Sequence, residues 1–372
     1  MTTRSPFLDL PGAVSESDGS VPAHYGNPLV EQRVLEAGRA VVDCSDRGVV
    51  TVTGDDRRSW LHSMASQALD RLAPAESTET LILDAHGHVE YAAHVVDDGE
   101  TMWLIVDGPA AAPLAAWLNR MRFMARVEVA DVSAEVAVLG ACAIGALESV
   151  GASGVTWVDP WSVARAGGYQ YAAEPHVAAQ FSWVERVVSR TAFSDAAAAV
   201  RTGAVQASGS LAAEALRIAV ARPRAATEVD ANTLPHELDW LRTAVDLHKG
   251  CYRGQETVAK VLNLGRPPRR LVLLHLDGSD TVLPVAGDQV IALKAQPDAP
   301  AERREVGHIT AAAMHHELGP IALAVVKRAV PDDLELIVES HGTEVAAAQQ
   351  VIVPSDAGSI VDVPRIPRLG GR

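Results

Sequence analysis

The sequence predicts an α+β protein: two α/β units with antiparallel sheets, followed by a small C-terminal β-barrel. Three observations carry this reading. Helical periodicities alternate with hairpin-like strand pairs in the first part of the chain, a pattern of α+β rather than doubly wound architecture. A proline-containing break, Gly265-Arg-Pro-Pro268, interrupts the chain late, where two prolines can continue neither a helix nor a central strand. Beyond it lie short β-rich runs separated by turns, as a closed or nearly closed barrel requires. A chain of 372 residues also needs more than one ordinary core.

Residues 1–24 hold Pro, Gly, Ser and acids without periodicity and are expected to form an extended arm. The first unit is placed at 25–134. Gly48–Thr53 is β-rich, Gly54-Asp55-Asp56 suits a turn and helix N-cap, and Trp60, Leu61, Met64, Ala68 and Leu69 recur at helical spacing. Thr80–Asp84, Val89–Val96 and Met102–Val106 are expected strands, with turns at Gly87 and Asp98-Gly99. Leu114, Trp117, Leu118 and Met121 mark a helix, and Arg126–Ala130 returns as a strand.

The second unit is placed at 135–264. Its expected strands are Glu135–Leu139, Val155–Val158 and Ala164–Ala172. Val177, Phe181, Val184 and Val188 read as one helical face, and Leu211–Ala221 as a further helix. The barrel, 265–353, is expected to use Leu271–Leu276, Gln289–Leu293, Val306–Ala312, Pro320–Val326, Leu334–Val338 and Val345–Val353, before a mildly basic tail, 354–372.

Composition narrows the function. With 48% hydrophobic and 21% charged residues the chain is of globular type. A formal net charge of −15 repels phosphates and anionic lipid, so broad nucleic-acid binding is not expected. Neither a signal peptide nor a span-length apolar stretch stands out, so a cytoplasmic protein without a membrane partner is expected. The three cysteines, Cys44, Cys142 and Cys251, are widely spaced. They offer no disulfide framework and no CxxC metal site, and no metal is expected.

One segment departs from this acidic background. Between 249 and 270 there are six cations (Lys249, Arg253, Lys260, Arg266, Arg269, Arg270) against the single acid Glu256. This local inversion suits a small carboxylate-bearing ligand. Within it, Lys249-Gly-Cys-Tyr-Arg-Gly-Gln-Glu256 sets two glycines around Cys-Tyr-Arg, which lets the backbone turn sharply. Cys251 stands between two cations and is the cysteine best suited to nucleophilic or metal-binding chemistry; a tight turn with an inert thiol is the plainer alternative.

Lys249–Glu256 matches at every fixed position the K-G-C-Y-x-G-Q-E signature of the YgfZ family, relatives of the glycine-cleavage T-protein. Leu234-Pro-His-Glu-Leu238 upstream and Arg269-Arg270-Leu271 downstream agree with it, and the resemblance runs from about Tyr25 to about Val353. It implies three domains around a central pocket like the T-protein's tetrahydrofolate site, and tetrahydrofolate as cofactor. It also implies a role in assembling or repairing iron–sulfur clusters on client proteins, with Cys251 as the functional thiol. Lys249, Tyr252, Arg253, Gln255 and Glu256 would shape its loop and contribute to binding. Asp43-Cys-Ser45 is similar to the T-protein's Asp-x-Ser segment, which puts Asp43 and Ser45 at the pocket.

Two departures qualify the resemblance. The T-protein's catalytic aspartate segment falls here on Gly87-His-Val-Glu-Tyr-Ala92, with Tyr91 and Ala92 where acids would stand. Its pterin-holding Leu-Arg-Ile-Glu reads Leu216-Arg-Ile-Ala219, leaving Glu228 or Glu237 to take over. Arg217, Arg222 and Arg224 complement the end of their helix, and each is also a candidate for the folate glutamate tail. His236 and His248 are packing residues by default and candidate proton carriers otherwise. The leading expectation is a folate-binding accessory factor rather than a metabolic enzyme. The alternatives are a folate-dependent one-carbon (aminomethyl) transferase or demethylase, and a protein-binding module that has lost its folate.

Overall fold

The computed structural model describes residues 4–17, 19–279, 282–294 and 302–361. The N-terminal segment is docked rather than extended. Ser5 opens a short 3-10 turn, Pro6–Asp9, accepting a hydrogen bond from the Phe7 N–H at 3.1 Å. That turn seats Phe7 in the core, its ring 5.1 Å from that of Phe193. A small ribbon of β1 (Val14–Ser15) and β2 (Pro22–His24) follows. Helix α1 (Pro28–Glu36) is capped by the Asn27 side chain and carries proline in its first turn.

Two five-stranded sheets come next, and they do not divide at residue 134. Strand β3 (Ala40–Asp43) leaves its sequence neighbours, because its backbone pairs with β9 (Val136–Ala141) and, in parallel, with β12 (Gln206–Ser208). The first sheet has the order β5-β6-β7-β4-β8, formed by β4 (Arg47–Thr53), β5 (Ser77–Leu83), β6 (Val89–Asp97), β7 (Thr101–Asp107) and β8 (Glu128–Asp131). All its pairings are antiparallel, as the hairpin turns imply. Helices α2 (Arg57–Met64) and α3 (Ala111–Arg120) cover it, their apolar faces meeting Val50, Val52, Ile82 and Leu104.

Helix α2 is shorter than its periodicity suggests. Ala65 forms a bridge with Ile82 and the Ser66 N–H donates to the Leu81 carbonyl at 2.9 Å, so the strand captures the backbone. Asp56 makes no side-chain cap; Arg126 holds its carboxylate at 2.8 Å instead.

The second sheet has the order β10-β11-β9-β3-β12, with β10 (Val155–Val158) and β11 (Val184–Ser189). Two expectations fail here. Residues 164–172 form no strand: the N–H groups of Arg165 and Tyr169 bond the carbonyls of Arg242 and Leu241 in a loop, and Gly167 sits at φ +84°. The apparent helical face through Val184 and Val188 is a strand, because Val-Glu-Arg-Val-Val pairs on both sides with β9 and β10. A β-branched run buried on both faces mimics a helical stripe when only its apolar positions are counted. Helices α4 (Ile144–Ser149), α5 (Arg190–Arg201) and α6 (Ser210–Ala219) pack around this sheet. Two short helices follow: α7 (Ala225–Glu228) and α8 (Gln255–Asn263), the latter carrying the end of the glycine-flanked motif.

Past the proline break the chain enters a closed barrel, β13-β16-β15-β14-β17-β18. Its strands are β13 (Arg269–Leu276), β14 (Gln289–Lys294), β15 (Glu302–His315), β16 (Gly319–Lys327), β17 (Leu336–Ser340) and β18 (Thr343–Val351). All six lie where the β-rich runs predict them. Polar ties lock the barrel to the rest: the Gln32 amide donates to the Met314 carbonyl at 2.9 Å, and Arg269 pairs with Asp230 and Glu237. Residues 362–372 of the expected tail lie outside the described residues.

Candidate functional site

A cavity of about 110 Å³ opens between the two sheets, α6 and the segment 222–225. Strand parity sets its wall. On β6, Ala92 and His94 face it, while Tyr91 and Ala93 turn into the core beneath α2 and α3. On β5, Glu79 faces it from a strand that is otherwise apolar or threonine-rich.

Seven acids line it (Asp43, Asp46, Glu79, Asp107, Asp159, Glu185, Glu214) against four arginines, Arg47, Arg217, Arg222 and Arg224. Each arginine is held by two carboxylates. Arg47 meets Asp107 at 2.8 Å and Glu185 at 3.6 Å, and Arg224 meets Asp107 at 2.6 Å and Asp46 at 3.2 Å. Arg217 meets Glu214 at 2.6 Å and Glu228 at 2.9 Å. Arg222 meets Glu79 at 2.8 Å and Asp159 at 3.1 Å, with its guanidinium 5.0 Å above the Trp161 ring. His94 stacks on Trp157 at 3.7 Å and bonds Glu185 at 2.8 Å.

These pairings split the carboxylates electrostatically. Burial pushes Asp107 and Glu185 up, but the cations beside them outweigh it and hold both below the usual carboxylate range. Asp43 and Asp159 go the other way. Burial raises Asp43 to about 6 despite bonds from Ser5 and Ser45, and it raises Asp159 despite Arg222. Four buried atoms of the lining have no hydrogen-bond partner: Glu79 Oε1, Trp240 Nε1 and both Arg222 Nη atoms, of which Nη2 lies in the ion pair with Glu79. Unpaired buried groups of this kind are expensive unless a ligand or water meets them.

Of the expected site residues, Asp43, Arg217, Arg222 and Arg224 line the cavity. Arg217 is already doubly paired and also bonds the Arg222 carbonyl, so it is not free to meet a ligand carboxylate. Glu237 is buried outside the lining and accepts from Arg269 at 2.8 Å.

The Lys249–Glu256 segment does not reach the cavity lining. Lys249 Nζ donates to the carbonyls of His62 and Ala65 at 2.5 Å and of Gln67 at 3.1 Å, closing the C-terminal end of α2. Burial lowers this ammonium to about 8, so it remains mostly protonated near neutrality. Tyr252 is buried with its ring 5.2 Å from Lys249 Nζ, Arg253 pairs with Glu90 at 2.9 Å, and Gln255 donates to the Lys249 carbonyl at 3.4 Å. Glu256 is exposed in the first turn of α8, and Cys251 is exposed. Both cations expected to activate Cys251 are therefore engaged elsewhere. Cys44 and Cys142 are buried, and burial pushes the Cys142 thiol up to about 12.

Sequence reasoning missed Glu79, His94, Asp107, Asp159 and Glu185. The signal that could have found Glu79 and Glu185 is a single acid inside a β-rich run, Thr-Glu-Thr-Leu-Ile-Leu and Val-Glu-Arg-Val-Val. An acid there is buried on one face and must have a partner.

Two five-stranded sheets with an acid-rich cavity between them, followed by a closed six-stranded barrel, define a protein of the aminomethyltransferase T-protein fold. Residues 269–354 match the family described as the glycine cleavage T-protein C-terminal barrel domain. The whole chain superposes on glycine cleavage system aminomethyltransferase T from Bartonella henselae with a TM-score of 0.71 and 17% identity, covering 94% of this chain and 96% of that one. In sequence, the chain is 26% identical over 274 residues to a chloroplastic Arabidopsis thaliana protein provisionally named a transferase, covering 71% of this chain and 62% of the relative. It is 29% identical over 124 residues to an aminomethyltransferase of Synechococcus sp. strain RCC307, covering 32% of this chain and 34% of that one. With the Pseudomonas syringae aminomethyltransferase the figures are 26% over 144 residues, 35% and 39%. The chain thus spans less than two thirds of the length of each of these three sequence relatives. Among the described residues no helix is long and apolar enough to cross a membrane.

Proposed function

We propose that this chain binds the pterin end of a reduced folate in the central cavity and serves as an accessory factor for iron–sulfur proteins, with Cys251 as the thiol it presents to them. The observation that carries the folate reading is the unmatched pair, Glu79 Oε1 and Arg222 Nη1, on one cavity wall. The aminopyrimidinone edge of a pterin offers an amino and a ring N–H for a carboxylate, and a carbonyl oxygen for a guanidinium. Glu79 and Arg222 match that order of donors and acceptors, and the acid-rich lining suits a donor-rich ring. Here Glu79 stands in for the glutamate that Ala219 lacks.

The accessory role rests on the motif's resemblance and on the exposure of Cys251 away from the cavity. A thiol so placed meets a partner protein more readily than a ligand in the cavity. Calorimetric titration with tetrahydrofolate tests the first half: saturable binding that Glu79→Gln weakens and Cys251→Ala leaves alone is expected, and no saturation at millimolar folate sinks it. For the second half, a deletion strain is expected to lose activity in cluster-dependent enzymes, restored by the wild-type chain and not by Cys251→Ala. Unchanged cluster occupancy in that strain removes the accessory role.

A second reading, folate-dependent one-carbon transfer, is favoured by one observation. Asp43, a carboxyl on the cavity wall, is held near 6 and can take up or release a proton close to neutrality. Turnover of methylenetetrahydrofolate with an amine donor, lost in Asp43→Asn, would establish it.

A further inference from the structure

Glu79 and His94 stand directly opposite each other in the β5–β6 pairing, and both line the cavity. Directly opposed residues of an antiparallel pair sit about 5 Å apart at Cβ. A ligand that meets the unpartnered Glu79 Oε1 therefore comes within reach of His94.

His94 is the one imidazole of the lining among the described residues, and its setting fixes which nitrogen carries hydrogen. Its ring lies flat on Trp157, with 3.7 Å between centroids and 2° between planes. Trp157 is pinned in turn, its indole N–H donating to the Thr78 carbonyl at 2.6 Å. On the other side, His94 Nδ1 lies 2.8 Å from Glu185 Oε2. The second oxygen of Glu185 has the Trp183 indole N–H at 3.3 Å and Arg47 at 3.6 Å. Burial raises the Glu185 carboxyl, but His94 and Arg47 outweigh that and keep it ionised. An ionised carboxylate can only accept, so Nδ1 is the donor of this bond. The neutral ring then presents Nε2 as a bare acceptor. Nε2 has no hydrogen-bond partner among the described residues, on a side chain that is 19% exposed.

An acceptor beside Glu79 distinguishes two oxidation states of a pterin. The tetrahydro ring carries hydrogens on N5 and N8, whereas in folic acid both nitrogens are bare acceptors. A bare nitrogen facing Nε2 opposes two lone pairs away from water. Mismatches of that kind discriminate far more strongly than a lost apolar contact.

We propose that His94 is a specificity-determining residue. Its Nε2, oriented by Glu185, accepts from a ring N–H that only the reduced pterin has, and so selects tetrahydrofolate over folic acid. This rests on the folate reading of the cavity and adds the residue that senses the oxidation state of the ring.

Anaerobic calorimetry on the full chain measures Kd for tetrahydrofolate and for folic acid, in wild type and in His94→Phe. The variant keeps a flat ring on Trp157 but has no acceptor. Ring pucker alone can favour one ligand, so the informative quantity is the change in the ratio of the two Kd values. The wild-type preference for tetrahydrofolate is expected to shrink at least about tenfold in the variant. A merely structural His94 would weaken both ligands alike. An unchanged ratio overturns the proposal and leaves the folate reading standing, whereas no saturation by either ligand at millimolar concentration overturns both. Nitrogen-15 NMR of the ligand-free wild-type protein, at a pH where the ring is neutral, tests the orientation without any variant. The Nδ1–H tautomer is expected, and the Nε2–H tautomer overturns the proposal.

Discussion

Gly87 and Gly254 touch backbone to backbone. A Cβ on Gly254 would lie 2.7 Å from the Asp84 carbonyl oxygen and 2.9 Å from Gly87 Cα, and both glycines have left-handed φ, +86° and +82°. This contact joins the β5–β6 hairpin, whose next strand lines the cavity, to the first residue before α8 and thus to the Cys251 loop. Any Cβ at Gly254 must shift one backbone or the other. Gly254→Ala is expected to destabilise the protein by about 2–4 kcal/mol, combining the left-handed penalty with overpacking, in denaturant unfolding. A loss below about 0.5 kcal/mol would mean that the two loops are not packed as described.

Lys249 acts as a polar clamp between the same motif and α2. Lys249→Met keeps the aliphatic stem but removes the donors to three carbonyls, and is expected to cost about 1–3 kcal/mol of stability. Because Lys249 lies outside the cavity, tetrahydrofolate affinity at a temperature where the variant is folded should match wild type. A large affinity loss in the folded variant would place the ammonium at the ligand after all.

The folate reading makes Glu79 its most sensitive residue. Glu79→Gln preserves shape but exchanges a charged acceptor for an amide, and a 10- to 100-fold weaker tetrahydrofolate Kd is expected, on the order of a lost charge-assisted hydrogen bond. Equal affinity would move the pterin away from this wall.

Asp43 should write its titration into the stability curve. Its folded carboxyl is raised to about 6, so the fold favours the protonated form. The stability it contributes is full below the unfolded value near 3.9 and is lost as pH rises through about 6. Asp43→Asn has no such proton. Against wild type, its unfolding free energy should gain up to about 3 kcal/mol between pH 4 and pH 7, two units at roughly 1.36 kcal/mol each. Parallel pH profiles for the two proteins would show that the burial is not felt.

Thiol labelling separates the three cysteines. In the native protein a small alkylating reagent should modify Cys251 at once, while the buried Cys44 and Cys142 wait for unfolding. Three equally fast thiols would contradict the packing of Cys44 against Trp183 and Gly140.

Much of the fold was legible because its determinants are local. The barrel strands alternate or run apolar between turn residues, and Pro267-Pro268 can only begin a new element. Where reading failed, long-range pairing had overruled local pattern. Val184 and Val188 look helical until β9 and β10 are there to pair with them, and Ala68-Leu69 look helical until Ile82 captures Ala65. The site was less legible. The motif at 249–256 drew attention through its charge and glycines, yet Lys249 and Arg253 spend that charge on the carbonyls of α2 and on Glu90.

The sequence by itself determined the order of elements in the first sheet, the barrel and the sharp turn at Gly254, since each depends on residues close together along the chain. Only the tertiary structure decided which charges face the cavity and which are already satisfied. Glu79, Asp159 and Arg222 come from three separate segments, and no spacing relates them. Burial removes water from all three at once. Whether each is then paired, proton-bearing or left open for a ligand depends on neighbours that only folding supplies.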